Sequence, residues 1–346
     1  MSGATPARLR AAVIGAGAMG RNHARVYHDL PDVDLVGVAD ADPATAARAG
    51  TTFHVPHFQD TAALLDAVHP DLVSIAVPTM HHLPVALTVI AHGVPLLVEK
   101  PLAYTVAEGE QIIAAAAAAG VLLAAGHIER YNPALTELKA RLQAGALGRV
   151  FQMHAQRLGP FPARVRDVGV VVDLATHDVD IMRYLTGAEV TRVYAETARR
   201  IHTEHEDLLS GLLRFDDGTI GVLDINWLTP TKIRQLTLTG EKGMFQVNYL
   251  TQDLYFYEND YIRTEWDTIS TIAGVSEGNM MRLRIDKAEP LRREIENFVA
   301  AVGGHPASIV AGADALRAVA ITQQIVTAGR THRVVAMQPE GSDTSS

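Results

Sequence analysis

The 346-residue sequence predicts an α/β chain: an N-terminal doubly wound parallel sheet, then a second α/β domain with a large open, mainly antiparallel sheet. Three observations carry this. Between residues 9 and 125, short continuous apolar strands alternate with helical segments, as in a parallel sheet covered on both faces. After Gly126 the pattern turns into strands separated by tight turns. A glycine-rich turn, Gly15-Ala16-Gly17-Ala18-Met19-Gly20, joins the first strand to the first helix, and an acid, Asp40, ends the second strand.

In order, Leu9–Ile14 is the first strand and Arg21–Asp29 the helix after it. The run from Val33 to Ala39 holds the second strand, Leu35–Ala39. Asp42-Pro43 gives an N-cap and then proline at the first helical position. Asp60 caps a helix over Thr61–Val68, and Leu72–Val77 is an apolar strand between Pro70 and Pro78. His82–Ala91 is helical and stops at Gly93. Leu96–Val98 is a strand, Val106–Ala119 a helix from the Thr105 cap, and Val121–Ala125 a strand. Asn132-Pro133 then starts a helix to Gln143, Val150–Gln156 alternates as a strand, and Val170–Leu185 has helical apolar spacing. From Val190 to Tyr257 the chain reads as an antiparallel meander with turns at Asp216-Asp217-Gly218, Gly240-Glu241-Lys242-Gly243 and Glu258-Asn259-Asp260. Two helices, Glu289–Val302 and Asp314–Ala328, and a short strand within Thr331–Ala336 close the fold. The expected domains are 1–126 for the cofactor and 127–336 for substrate and oligomerisation, with the last helices able to pack back on the first. Residues 337–346 read as a disordered tail.

Composition narrows the function. The net charge is −9 with no long basic run, which argues against nucleic acid or an anionic membrane as partner. There are no cysteines, so disulfides, thiolate nucleophiles, cysteine-bound zinc and iron–sulfur clusters are excluded. Met1–Arg10 lacks the apolar core of a signal peptide, and the alanine-rich stretch Ile112–Gly126 is too short and too mildly apolar to span a bilayer. A cytoplasmic protein is expected.

The glycine turn has the chemistry of a dinucleotide site. Gly15 permits a tight strand-to-helix turn, Gly17 lets backbone approach a pyrophosphate, and Gly20 lets helix and strand pack closely. Ala18 and Met19 belong to the turn that opens the helix, at whose start free N–H groups face phosphate charge. Asp40 can accept from both ribose hydroxyls and would repel a 2′-phosphate, so the Rossmann fingerprint favours NAD over NADP. Glu99-Lys100-Pro101 follows a strand directly, where ligands of doubly wound sheets bind; a plain charged turn is the competing reading. Pro78, Thr79 and His82 stand after another strand, as do His81 and His127, and are candidates for the nicotinamide side.

In the second half, Asp173 and His177 are four residues apart, with Asp180 three further on, so they share a helix face. A carboxylate there can orient the imidazole; a helix-dipole aspartate beside a core histidine is the bland alternative. No third ligand stands at a telling spacing, and no metal is expected. Arg157, Arg164 and Arg166 frame a proline-containing segment that would present guanidinium groups to a diphosphate, with Phe161 and Tyr131 available to stack on a base; an ordinary surface loop fits equally well.

These segments, in this order and spacing, resemble the glucose–fructose oxidoreductase, inositol dehydrogenase and MocA family over residues 9–336. The resemblance implies a Rossmann domain followed by an open-sheet domain used for homodimer or homotetramer formation. It also implies an active-site Lys100 with Asp173 and His177 as partners, and a bond before Pro101 that is often cis. Gly126–Ala134, Arg157–Gly169 and Asp173–Asp180 are similar to the nucleotide-sugar 3-dehydrogenases, those acting on UDP-N-acetylglucosamine among them. Tyr131 departs from that pattern, where phenylalanine is more usual. This narrower resemblance implies NAD-dependent oxidation of a sugar hydroxyl, at C3 of a UDP-linked N-acetylhexosamine. Either His177, oriented by Asp173, is the base and Lys100 steadies the developing alkoxide, or Lys100 is the base and His177 positions the substrate. A dehydrogenase or keto-reductase for another sugar or inositol is the alternative. So is a non-catalytic NAD-sensing regulator, although such relatives tend to lose the lysine or the Asp–His pair.

Overall fold

Side-chain caps start three helices of the first half where the sequence expects them, whereas the first helix begins at Ala18, ahead of the expected Arg21. Asp42 accepts from Thr45 N–H (3.0 Å) to open α2 (Pro43–Phe53), and Asp60 from Ala63 N–H (2.8 Å) to open α3 (Thr61–Val68). Thr105 and Glu108 form a reciprocal capping box at α5 (Val106–Ala119). The computed structural model describes residues 8–162, 168–202, 204–262 and 274–337. It divides into two units, Met1–Ile128 with Glu289–Ala320, and Glu129–Ala288 with Ile321–Ser346.

The first unit holds six parallel strands: β1 (Leu9–Ile14), β2 (Val33–Ala39), β3 (His57–Phe58), β4 (Leu72–Ile75), β5 (Leu96–Glu99) and β6 (Leu123–Gly126). Their order, β3-β2-β1-β4-β5-β6, reverses direction between β1 and β4, the crevice where doubly wound sheets take ligands. Helices α1 (Ala18–Asp29) and α4 (His82–Ala91) complete the crossovers with α2, α3 and α5. The expected strand at Val121 begins later, at Leu123, because the Val121 N–H is still spent on Ala116 at the helix end (2.9 Å). The chain returns late to this unit. From α8 (Pro290–Val302), Leu291, Ile295 and Phe298 join the core made by Val13, Val38, Leu72 and Leu97 with Ala24, Val26 and Tyr27 of α1.

The second unit is a nine-stranded sheet, β14-β13-β12-β11-β7-β10-β9-β8-β15. Its strands are β7 (Val150–Pro160), β8 (Val190–Ala198), β9 (Leu208–Phe215), β10 (Ile220–Asn226), β11 (Leu228–Gly240), β12 (Gly243–Asn248), β13 (Asp253–Ile262), β14 (Gly274–Leu283) and β15 (Val335–Ala336). The expected meander is corrected at its centre. A single residue, Trp227, links β10 to β11, too few for a hairpin reversal, and β7 lies between them, parallel to β10 and antiparallel to β11. Strand β14 was not expected, since Gly274–Leu283 is polar and carries an internal glycine. Helices α6 (Pro133–Gln143) and α7 (Thr176–Thr186) belong to this unit, and Gly221 of β10 leaves the room that Met182 of α7 fills. α9 (Gly312–Thr331) runs from one unit into the other. Among the described residues no helix is long and apolar enough to cross a membrane.

Two glycines of the first turn do different work. A Cβ on Gly20 would lie 1.7 Å from the Gly15 carbonyl oxygen, whereas a Cβ on Gly17 would meet nothing within 4 Å. Gly20→Ala should therefore cost about 3 kcal/mol and lower the thermal midpoint by roughly 6 °C or more. Gly17→Ala should leave that midpoint nearly unchanged, a contrast that calorimetry of the ligand-free proteins checks.

Candidate active site

At the switch point the backbone is drawn tight. Gly15 has φ +88°, and a Cβ there would sit 2.6 Å from the Ala76 backbone just beyond β4. Helix α1 starts at Gly17 without a side-chain cap and without an acid in its first turn, so its leading N–H groups stand ready for an anion. Gly17 and Ala18 are exposed and Met19 half-buried. Asp40 accepts from Ala16 N–H (2.8 Å) on one carboxylate oxygen and from Asp42 N–H (2.9 Å) on the other. Each oxygen keeps a second lone pair, the capacity that two ribose hydroxyls require. The exposed, Cβ-free backbone at Gly17 and the half-exposed acid beyond β2 fit a dinucleotide.

Lys100 stands at the end of β5 in a turn whose Lys100–Pro101 bond is cis. The turn is held from behind. His82 is 1% exposed, and its ring nitrogens face backbone carbonyls, Nδ1 toward Pro101 (3.0 Å) and Leu102 (3.3 Å) and Nε2 toward Val77 (3.0 Å). Burial pulls the His82 imidazole below its ordinary value in spite of those carbonyls. His82 therefore ties the Pro101 turn to the end of β4. Glu99 also faces inward, 8% exposed, with Oε1 2.9 Å from His23 Nε2 and Oε2 accepting the Lys100 backbone N–H (3.2 Å). Burial alone would raise its carboxyl. The hydrogen bond from His23, with the charge and N–H of Lys100, holds it below the ordinary value instead. Pro78 is exposed and Thr79 half-buried in the turn after β4.

In the second unit the expected helix over Val170–Leu185 is a π-helical turn, Val171–Ala175, running into α7. Its start is held by Glu206, whose carbonyl accepts Val170 N–H (2.9 Å) and whose carboxylate accepts Val171 N–H (3.2 Å). Such wide turns recur at functional sites. Asp173 and His177 are both half-buried, while Leu174, Ala175, Thr176 and Asp178 are buried. Both thus keep part of their surface accessible. Asp180 does not: it is 1% exposed and paired with Arg130 at 2.8 and 2.5 Å.

Of the three arginines expected to frame the loop, Arg157 is the one the structure describes. It lies in β7, 4% exposed, with both Asp178 oxygens at 2.7 and 3.1 Å and Glu129 at 3.0 Å. Burial opposes its charge, but Asp178 and Glu129 outweigh burial and hold the guanidinium more firmly protonated. Three of its five N–H donors are thus held by carboxylates inside the protein. Arg164 and Arg166 lie outside the described residues. Phe161 packs edge-on against Trp227 (5.7 Å) and His202 (5.6 Å), and Tyr131 is buried in the short turn Ile128–Tyr131. Arg234 is the residue that sequence reasoning missed. It donates to the Leu158 (2.6 Å) and Ile233 (2.9 Å) carbonyls; burial and the like charge of Arg157 pull its guanidinium below the ordinary value, opposed by the charges of Asp178, Glu129 and Asp173. Nothing in its local sequence marks it; only the β7–β11 pairing brings it to these carboxylates.

Residues 9–127 match the family model described as "Oxidoreductase family, NAD-binding Rossmann fold", and residues 135–246 the "GFO/IDH/MocA C-terminal domain". UDP-N-acetylglucosamine 3-dehydrogenase of Acidithiobacillus ferrooxidans is 30% identical over 317 residues, 92% of this chain and 96% of that one. The chain belongs to the GFO/IDH/MocA oxidoreductase family. A solved structure of the Acidithiobacillus enzyme matches with a TM-score of 0.82 at 29% identity, covering 94% of this chain and 98% of that one. Myo-inositol dehydrogenase Hyg17 of Streptomyces leeuwenhoekii is 29% identical over 93% of this chain and 98% of its own. GenD2 from gentamicin A biosynthesis, solved in complex with NAD, is 27% identical with a TM-score of 0.81, over 96% and 97% of the two chains. This GFO/IDH/MocA member is accordingly an NAD-binding dehydrogenase of the kind that acts on sugar or inositol hydroxyls.

Two outcomes test the site as described. NAD should bind at least about tenfold more tightly than NADP, a gap of ~1.4 kcal/mol that Asp40→Ser should narrow in calorimetric titration. Arg157→Ala should destabilise the protein by about 3–5 kcal/mol, because Asp178 and Glu129 lose a buried partner. Denaturant unfolding reads that loss, and a nearly unchanged midpoint would mean that Arg157 is not the buried keystone described.

Proposed function

We propose that this enzyme oxidises the C3 hydroxyl of a UDP-linked N-acetylhexosamine, UDP-N-acetylglucosamine foremost. The observation that carries this reading is the end-to-end likeness to the Acidithiobacillus 3-dehydrogenase, which spans 96% of that protein. The inositol dehydrogenase of comparable span is only slightly less similar, at 29%. The segments Gly126–Ala134, Arg157–Gly169 and Asp173–Asp180, with their likeness to nucleotide-sugar enzymes, tip the balance.

Bound NAD supplies the acceptor for the hydride that leaves the carbinol carbon. In this proposal His177 takes the hydroxyl proton, oriented by Asp173, and Lys100 donates a hydrogen bond to the oxygen as its charge develops. An ionised Glu99 beside Lys100 supports the donor role for the lysine. With Arg157 held by Asp178 and Glu129, the diphosphate falls to Arg164 and Arg166. A second copy of this chain would cover the outer side of the large sheet, where Leu212 and Ile220 are 49% and 38% exposed and Val222 is half-buried, giving a homodimer or homotetramer.

The kcat/KM for UDP-N-acetylglucosamine should exceed that for free N-acetylglucosamine by at least about 100-fold, the equivalent of two charge-assisted contacts of ~1.5 kcal/mol each. NADH absorbance with a panel of UDP-sugars, free sugars and inositols measures it. Equal values, or turnover of inositols alone, would overturn the nucleotide-sugar reading. Lys100→Ala and His177→Ala should each lower kcat by about 10² or more.

A further inference from the structure

Behind the Lys100 turn, polar side chains are buried in a row inside the first unit. Tyr27 OH is 2.8 Å from Ser74 Oγ, Ser74 Oγ is 3.0 Å from His23 Nδ1, and His23 Nε2 is 2.9 Å from Glu99 Oε1. Glu99 Oε2 then takes the Lys100 backbone N–H. Tyr27, Ser74 and His23 are 0% exposed. Buried polar groups are costly unless every member is satisfied, and this row crosses a core that is otherwise apolar. Its two ends matter for function. His23 and Tyr27 sit on α1, the helix opened by the glycine turn, and the far end is the turn that carries Lys100.

Placing the imidazole hydrogen on Nε2 lets every group donate in one direction, from Tyr27 to Ser74, to His23, to Glu99. The row then terminates on Glu99, which accepts at one oxygen from His23 and at the other from the Lys100 N–H. Gly126 of β6 makes room for that carboxylate: a Cβ there would stand 3.3 Å from Glu99 Cδ.

We propose that His23 is a positioning residue for Lys100, keeping Glu99 ionised within the fold so that the Lys100 turn always faces a fixed negative charge. The proposal deepens the function proposed above and rests on it for the role of Lys100, though not for the identity of the sugar. The sign is direct. His23 is the leading influence holding the Glu99 carboxyl down against burial, so its loss moves that carboxyl up. A carboxylate present above its midpoint would then be lost at higher pH than in the unaltered protein. The titratable groups facing Glu99 are His23 from α1, His82 from α4 and Lys100 from its own turn; Glu294 of α8 acts on Tyr27 at the far end.

The chain has five lysines, Lys100, Lys139, Lys232, Lys242 and Lys287, so reductive ¹³C-methylation gives an assignable spectrum. The Lys100 methyl signal should show a low-pH inflection as its carboxylate neighbour titrates. In His23→Leu that inflection should rise by about one unit or more. In His23→Gln, whose amide N–H replaces the Nε2 donor, it should return toward the original position. In Glu99→Gln, nearly isosteric and so a control should His23→Leu fail to fold, it should vanish. The acid limb of kcat/KM on whichever sugar is turned over should move with the inflection. An inflection unmoved in folded His23→Leu, or retained in Glu99→Gln, overturns the proposal. Because the titration needs no substrate, an inactive UDP-sugar panel with a shifting inflection refutes only the substrate reading, while normal turnover with an unmoved inflection refutes only the role of His23.

Discussion

Backbone meeting backbone without side chains is the constraint on which the first unit depends. The Gly15 carbonyl oxygen occupies the place where a Cβ of residue 20 would stand, and the Cβ position of residue 15 is filled by the Ala76 backbone. Only glycine tolerates both demands, and meeting them draws β1, α1 and β4 together at one point. The uncapped start of α1, the acid after β2 and the Lys100 turn after β5 are then all delivered to the carboxyl ends of the same sheet. The cofactor chemistry follows from geometry more than from any one reactive side chain.

The second unit solves a different problem. Strand β7, helix α7 and the turns around them bring carboxylates and guanidinium groups into the interior, and each must be satisfied there. Arg157 is gripped by Asp178 and Glu129, Asp180 by Arg130, and the side chain of Asp207 gathers the N–H groups of Arg200, Ile201 and His202. Buried pairs of this kind add little net stability compared with apolar packing, but losing one partner is expensive, so they fix one arrangement rather than deepen it. Asp173 and His177 are the half-buried titratable pair on a segment otherwise dominated by buried residues.

Much of the first unit could be read in advance because its signals are local. Asp42-Pro43, Asp60 and the Thr105–Glu108 box act within a few residues, and each helix starts where they stand. The lapses concern partners distant in sequence. Nothing near Arg157 announces that β7 will be an interior strand between β10 and β11, so a buried arginine resembles one on display. Glu99 and His82 were legible as members of a strand-end motif. Their inward orientation depends on His23 and on the carbonyls of Val77, Pro101 and Leu102, which only the folded sheet assembles. The π-helical turn before α7 escaped for the same reason, since its capture by Glu206 spans more than thirty residues.

The late return of the chain to the first unit bears on how the protein is made. Leu291, Ile295 and Phe298 complete a core whose other members precede residue 125, and the Ala125 N–H is satisfied by the Val310 carbonyl. While the ribosome is still translating the intervening 160 residues from Glu129 to Ala288, the nucleotide-binding half lacks one wall of its interior. Synthesis from the N-terminus would normally allow a leading domain to mature first. Here the leading segment must wait for a helix encoded beyond those intervening residues.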